Sequence, residues 1–199
     1  IDHEARPEDV AYSLSGDILA TVGDRFLQLF ASQDGSFIYK MRLPGLRNAV
    51  AFSQDGRLLA CSGSVGRVQV VVLKSRAKTL QFDCQSPTTP VQFNPDDSAL
   101  ITGHDDSSIQ LWDLKTGRQI AKLTIEDGTS GFGDQFEFRF VGDGKLVLIG
   151  ADQSSIGWLW NATTGKLVRK IDGYAGVVKK QGQDKLLRYL PVKVARFVS

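Results

Sequence analysis

The sequence predicts an all-β repeat fold of the propeller type, and three observations predict it. Short apolar strands end in glycine at Gly23, Gly63, Gly103 and Gly150, with spacings of 40, 40 and 47 residues. A period near 40 marks a repeat architecture. Turn signals fall between apolar runs at regular intervals, as in Ser15-Gly16-Asp17, Gln54-Asp55-Gly56, Pro95-Asp96-Asp97 and Gly142-Asp143-Gly144. Such residues accept positive φ or bond their own backbone. No segment keeps an apolar 3.6-residue period over three turns, so no long helix is expected. Short strands with even turns fit a sandwich, barrel or propeller, and the period selects the propeller.

The elements follow in order. The first unit reads as strands at 9–13, 18–22, 26–30 and 37–42, with Asp34-Gly35 in the turn before the last. The second has strands at 48–52, 58–61, 68–73 and 79–83. The third begins at Pro90-Val91-Gln92-Phe93, continues through Ala99–Gly103 and Ile109–Trp112, and ends with 119–125. The fourth has strands at 136–140, 146–149, 156–160 and 167–171. A partial fifth follows Gly176, where Gln183-Asp184-Lys185-Leu186-Leu187 matches Gly142–Leu146, and it stops at Val194–Val198. The expected organisation is a polar N-terminal tail (1–8), blades at about 9–46, 47–88, 89–134 and 135–175, and a partial blade at 176–199.

Composition narrows the class. A chain of 199 residues with 42% hydrophobic residues is globular in type, and no apolar run approaches a membrane span. The start, Ile1-Asp2-His3-Glu4, is neither a signal peptide nor an initiator Met, so the chain is expected to be a fragment, a processed form or the ordered part of something longer. Cys61 and Cys84 fit reduced thiols of an intracellular protein, in the nucleus, nucleolus or cytoplasm. The net charge of +2 hides an asymmetry: residues 166–199 carry nine Lys/Arg against Asp172 and Asp184. Such segregation suggests an acidic partner, RNA foremost, for Lys179, Lys180, Lys185, Arg188, Lys193 and Arg196. A solvated propeller edge, or a surface facing an acidic subunit, is the alternative.

The run Ala99-Leu-Ile-Thr-Gly-His-Asp-Asp-Ser-Ser-Ile-Gln-Leu-Trp-Asp-Leu114, followed by Lys115-Thr-Gly-Arg118, resembles the WD40-repeat family. The resemblance implies seven or eight blades, more than this chain supplies. Further blades outside the chain, a closed five-bladed ring using residues 1–6, or completion by a second polypeptide would each close it. It also implies a buried network joining a His before the first strand, a Ser/Thr on the second, a Trp on the third and an Asp in the turn between. Thr102, Asp106 and Trp112 match, while the His position falls near Cys84 or Gln85 and leaves the network incomplete. The other units depart further: Phe30 and Val71 replace the Trp, and only Trp160 survives in the fourth. Asp106 is expected to be structural.

Catalytic motifs are imitated and not formed. Lys115-Thr116-Gly117 has Thr163-Thr164-Gly165-Lys166 at the same place in the fourth unit, which makes it a turn. Gly131-Phe132-Gly133 lacks a following helix to receive phosphate. His3 and His104 are the two histidines, and neither has partners at ligand or triad spacing. No enzyme activity, metal, cofactor or small-molecule substrate is expected.

The family resemblance instead implies a non-catalytic scaffold with a loop face for protein partners. That face would present Asp24, Arg25, Arg47, Arg67, His104, Asp105 and Asp152. Phe132, in the Gly-rich insertion 126–135, is a candidate anchor there. His104 is expected as an exposed contact. A second resemblance, carried by Arg57-Leu-Leu-Ala-Cys-Ser-Gly63, Val68-Gln-Val70, Ser75-Arg-Ala77 and Leu80-Gln-Phe82, is to nucleolar propeller proteins of the small-subunit processome. It implies assembly of a ribonucleoprotein of the ribosome-biogenesis kind; a protein-only adaptor is the other function class.

Overall fold

The computed structural model describes residues 7–23, 26–43, 45, 49–64, 66–84, 86–106, 108–124, 136–151 and 156–172. The N-terminal segment 1–6, the insertion 125–135 and the expected fifth unit lie outside them. Sixteen strands are described: β1 (Asp9–Tyr12), β2 (Ile18–Gly23), β3 (Phe26–Ala31), β4 (Phe37–Arg42), β5 (Ala49–Phe52), β6 (Leu58–Gly63), β7 (Arg67–Val72), β8 (Ala77–Asp83), β9 (Thr88–Phe93), β10 (Ala99–His104), β11 (Ser108–Asp113), β12 (Gln119–Thr124), β13 (Phe136–Val141), β14 (Leu146–Ala151), β15 (Ile156–Asn161) and β16 (Leu167–Asp172). They form four antiparallel four-stranded meanders, each in simple chain order, as in propeller blades. The all-β expectation therefore stands.

The four sheets share devices finer than the strand pattern. The register between the third and fourth strands shifts at one equivalent place in each, after Leu29, Val70, Leu111 and Leu159. One bulge per blade bends the outer hairpin in the same way. The N–H of Ser32, Leu73, Leu114 and Ala162 donates to the carbonyl of Asp17, Arg57, Ser98 and Lys145 respectively, at 2.7–2.9 Å. The turn after the first strand and the turn after the third are thus tied together at one end of every sheet. β9 begins at Thr88 and takes Pro90 into the strand. A proline is tolerated because β9 is an edge strand, with a register shift opposite Gly103.

Residues up to Gly131 form one compact unit and those from Phe132 another. In the first unit, sheets follow one another face to face. Ala20, Val22, Leu27 and Leu29 of the first sheet meet Val50, Leu59 and Cys61 of the second. On the other face of the second sheet, Ala60, Val68, Val70 and Phe82 meet Val91, Phe93, Leu100 and Trp112 of the third. Phe82 and Trp112 lie 4.8 Å apart between ring centroids. A sheet covered on both faces needs apolar runs and not alternation, which is why Leu58–Gly63 reads as a continuous core strand. Cys61 and Cys84 are buried, and no disulfide joins them. In the second unit, Phe138, Val147, Ile149, Trp158 and Trp160 are buried.

Polar ties reinforce the joints. Asp9 Oδ2 accepts the Val50 N–H at 2.9 Å. Asp97 accepts the N–H groups of both Gln54 and Asp55, at 2.8 and 2.9 Å. Asp97 does so from positive φ, +57°. Its turn position is Gly16, Gly56 and Gly144 in the other sheets, as the matching turn bonds show.

Candidate functional site

The third sheet concentrates the polar chemistry. Thr102 and His104 are alternate residues of β10, so both project to one face, and Trp112 lies across on β11, where it pairs with Leu100. Trp112 Nε1–H donates to Thr102 Oγ1 at 3.0 Å. Thr102 Oγ1 is 2.9 Å from His104 Nε2 and 3.4 Å from the Gln110 carbonyl. The backbones of Ser86 and Pro87 also bond the imidazole. Pro87 has no N–H, so a ring nitrogen donates to a carbonyl there. The network then assigns a neutral ring whose Nε2 accepts the Thr102 hydroxyl and whose Nδ1–H faces the backbone. Burial holds the imidazole below its ordinary pKa, against the opposing charge of Asp106.

Two expectations are corrected. His104 is 0% exposed, so it is not a surface contact. It closes the network that the family pattern fills from before the first strand, because alternation on β10 brings its ring beside Thr102. Asp106 does not bond Thr102 or Trp112 among the described residues. It accepts the Ser108 N–H and hydroxyl at 3.0 and 2.5 Å and pairs with Lys122 at 3.4 Å. Although partial burial acts to raise its pKa, those hydrogen bonds and the Lys122 charge hold the carboxyl below the usual range.

The surrounding turns form one stitched surface. The segment joining the second and third sheets is tied to both: Cys84 N–H donates to Gly66 O at 2.6 Å, and Asp105 N–H to Pro87 O at 3.3 Å. Gly66 has φ +67°, and a Cβ there would stand 2.9 Å from the Ser86 carbonyl oxygen, so the close approach requires glycine. Around it, Arg67 pairs with Asp83 at 3.4 Å, and Asp105 is exposed. Asp24, Arg25, Arg47, Phe132 and Asp152 lie outside the described residues. So do Lys179, Lys180, Lys185, Arg188, Lys193 and Arg196. Arg67, His104 and Asp105 are therefore the loop-face candidates that the structure places, and one of them is buried. Among the described residues no three His, Cys, Asp or Glu side chains come together as a metal group. Asn161 accepts the Thr163 and Thr164 N–H groups at 3.0 and 2.8 Å, and so caps its turn as Asp113 caps that of Thr116.

Sequence reading missed the place of His104 and an unusual arginine. Arg76 has φ +58° in the turn before β8. Its N–H closes the same turn bond as Gly35, Gly117 and Gly165, to Val72 O at 2.8 Å. Its guanidinium lies 4.3 Å over the Tyr39 ring of the first sheet. The signal was present: Ser75-Arg76 aligns with Thr116-Gly117, an arginine at a glycine position.

Comparisons agree with this geometry. The family model described as WD domain, G-beta repeat matches residues 86–113, the stretch that contains Thr102, His104 and Trp112. The chain is 28% identical over 182 residues to the Periodic tryptophan protein 2 homolog of Caenorhabditis elegans, covering 88% of this chain and 20% of that protein. It is 27% identical over 123 residues to a guanine nucleotide-binding protein subunit beta of Solanum tuberosum (60% and 32% covered). It is 29% identical over 103 residues to the U5 small nuclear ribonucleoprotein 40 kDa protein of Dictyostelium discoideum (51% and 29% covered). The chain thus spans between a fifth and a third of the length of these relatives. Four meanders of one design, a WD-repeat match over residues 86–113 and this set of relatives identify a WD40 repeat in the third sheet and an all-β fold of WD40-type propeller blades.

Proposed function

We propose that the chain is a non-catalytic scaffold within a multisubunit intracellular assembly, and that the assembly is a ribonucleoprotein, of the ribosome-biogenesis kind. The observation that carries the RNA half is the charge segregation of residues 166–199, nine basic against two acidic. Its described part supports the reading: Lys166, Arg169 and Lys170 are exposed on and beside β16, the outer strand of the fourth sheet. A relative whose name places it in a small nuclear ribonucleoprotein points the same way. The test is affinity purification of the native protein with and without RNase, with RNA binding of the purified protein measured across salt. Loss of most partners after RNase, and a steep salt dependence that flattens when Lys179, Lys180 and Lys185 are changed to Gln, is the expected result. A salt-independent partner set that survives RNase sinks it.

The second reading is a protein-only adaptor using the stitched loop face. Its support is that Arg67–Asp83 and Lys122–Asp106 make this face a set of paired charges on fixed turns and not a bare basic surface. Charge reversal at Arg67 and Asp105 would then remove a stoichiometric partner while leaving RNA recovery unchanged.

A further inference from the structure

A different surface carries a more specific assignment. The turns 53–57 and 73–76 of the second sheet are tied by the Leu73-to-Arg57 bond, and 94–98 and 114–118 of the third by the Leu114-to-Ser98 bond. Asp97 joins the two pairs through Gln54 and Asp55. The four turns are therefore one contiguous rim. Its inner turns carry Asp55, Asp96 and Asp97, and its outer turns carry Lys74, Arg76, Lys115 and Arg118.

The acidic side chains of this rim are committed to the fold. Asp55 accepts the Arg57 N–H, Asp96 the Ser98 N–H, and Asp113 the Thr116 N–H. The four basic side chains are exposed, and none pairs with a carboxylate within salt-bridge distance among the described residues. Arg76 is the informative member. It stands where the sister turns use glycine, in a left-handed backbone conformation that strains any L side chain. A residue in strained backbone, exposed and with its guanidinium over an aromatic ring, suits contact with phosphate and planar bases.

We propose that the outer turns of the second and third sheets, through Lys74, Arg76, Lys115 and Arg118, form a contact surface for the backbone of single-stranded RNA. The assignment rests on the ribonucleoprotein reading and places a contact apart from the C-terminal basic segment. RNA fits better than an acidic peptide because Arg76, set over the Tyr39 ring, places an aromatic group beside the charge.

The test is titration of the intact protein with a fluorescent oligouridine at several salt concentrations. Arg76→Gly restores the glycine of the sister turns, so the variant folds while losing the contact. Arg76→Gly should weaken binding several-fold, with the thermal midpoint little changed. Adding Lys74→Gln, Lys115→Gln and Arg118→Gln should weaken it at least about tenfold and flatten the salt slope by about 0.7 per lost phosphate contact. A parallel variant carries Lys179→Gln, Lys180→Gln and Lys185→Gln. If only that variant loses RNA, the ribonucleoprotein reading stands and the rim assignment falls. If the wild-type protein binds no oligouridine, both fall. If oligoglutamate displaces oligouridine at equal charge concentration, the surface selects acidity and not RNA, and the assignment is overturned.

Discussion

The third and first sheets share one backbone design and differ at a single polar diagonal. In the third, Leu100 faces Trp112 across the ladder, and the indole reaches Thr102 two residues along. In the first, Leu19 faces Phe30, and Thr21 holds the hydroxyl place. Thr21 Oγ1 is buried with no hydrogen-bond partner among the described residues. The fourth sheet inverts the defect: Val147 faces Trp160, Ile149 takes the hydroxyl place, and Trp160 Nε1 is buried without a described partner. The second has neither group, with Cys61 and Val71 at the two positions. One diagonal thus occurs complete, acceptor only, donor only and apolar. The blade tolerates all four, so its fold does not depend on a complete diagonal. The network adds to one sheet what the others lack.

Removing the threonine hydroxyl should have opposite effects in the two sheets. Thr102→Val keeps the shape but strips Trp112 of its acceptor and His104 of its donor. Leaving two buried polar groups unsatisfied should cost about 2–4 kcal/mol. Thr21→Val removes a hydroxyl that is already orphaned, and should be neutral or stabilise by up to about 1 kcal/mol. Denaturant unfolding of the two variants checks this, and equal losses would show that the diagonal carries no special energy.

Next in size is the donor side. Trp112→Phe should cost about 1–3 kcal/mol, because it loses the indole bond and some of the contact with Phe82. Trp160→Phe loses burial but also an unpartnered N–H, and should cost less than half as much, by the same measurement.

Much of this was legible in the sequence, and the limit has a physical cause. Period, turn residues and apolar runs encode the backbone, so four meanders could be read from Gly23, Gly63, Gly103 and Gly150 alone. Thr102 and Trp112 were legible because their types and spacing are set by the same backbone. His104 was misplaced because its role depends on alternation along β10 and on the backbone of Ser86 and Pro87, contributed by a linker that no spacing rule describes. Asp106 matched by position, yet the Ser108 hydroxyl and Lys122 turn it outward. Arg76 and Asp97 broke a local rule, and only the structure shows that each reaches back to the preceding sheet.

Acid tests the network through His104. Its folded pKa lies below the ordinary 6.5. Between those two values the unfolded chain binds the extra proton, so stability should fall as pH drops below about 6.5. Asp9 acts in the opposite sense at lower pH, since burial raises its carboxyl above 3.8 despite the Val50 and Val10 bonds. The clean measurement is the difference between wild type and His104→Gln. Wild-type stability should decline from neutral pH towards the depressed value, and the variant should lose that slope. Parallel curves would place the imidazole's titration outside the folded-state network.

The smallest effect asks whether the missing half can be supplied. Phe30→Trp offers Thr21 the donor that Trp112 gives Thr102, across an equivalent register shift. Phe30 is only 2% exposed and its ring meets Phe37 at 5.9 Å, so the larger indole meets resistance. Overpacking costs about 1–3 kcal/mol, comparable with a hydrogen bond gained, and the net stability alone decides nothing. A double-mutant cycle with Thr21→Val separates the terms, because overpacking is present with either partner at position 21. A coupling of about 1 kcal/mol in favour of the introduced indole with the Thr21 hydroxyl is expected. A coupling near zero would mean that the third sheet's bond depends on His104 fixing the hydroxyl's orientation, and that the diagonal alone is not a transferable unit.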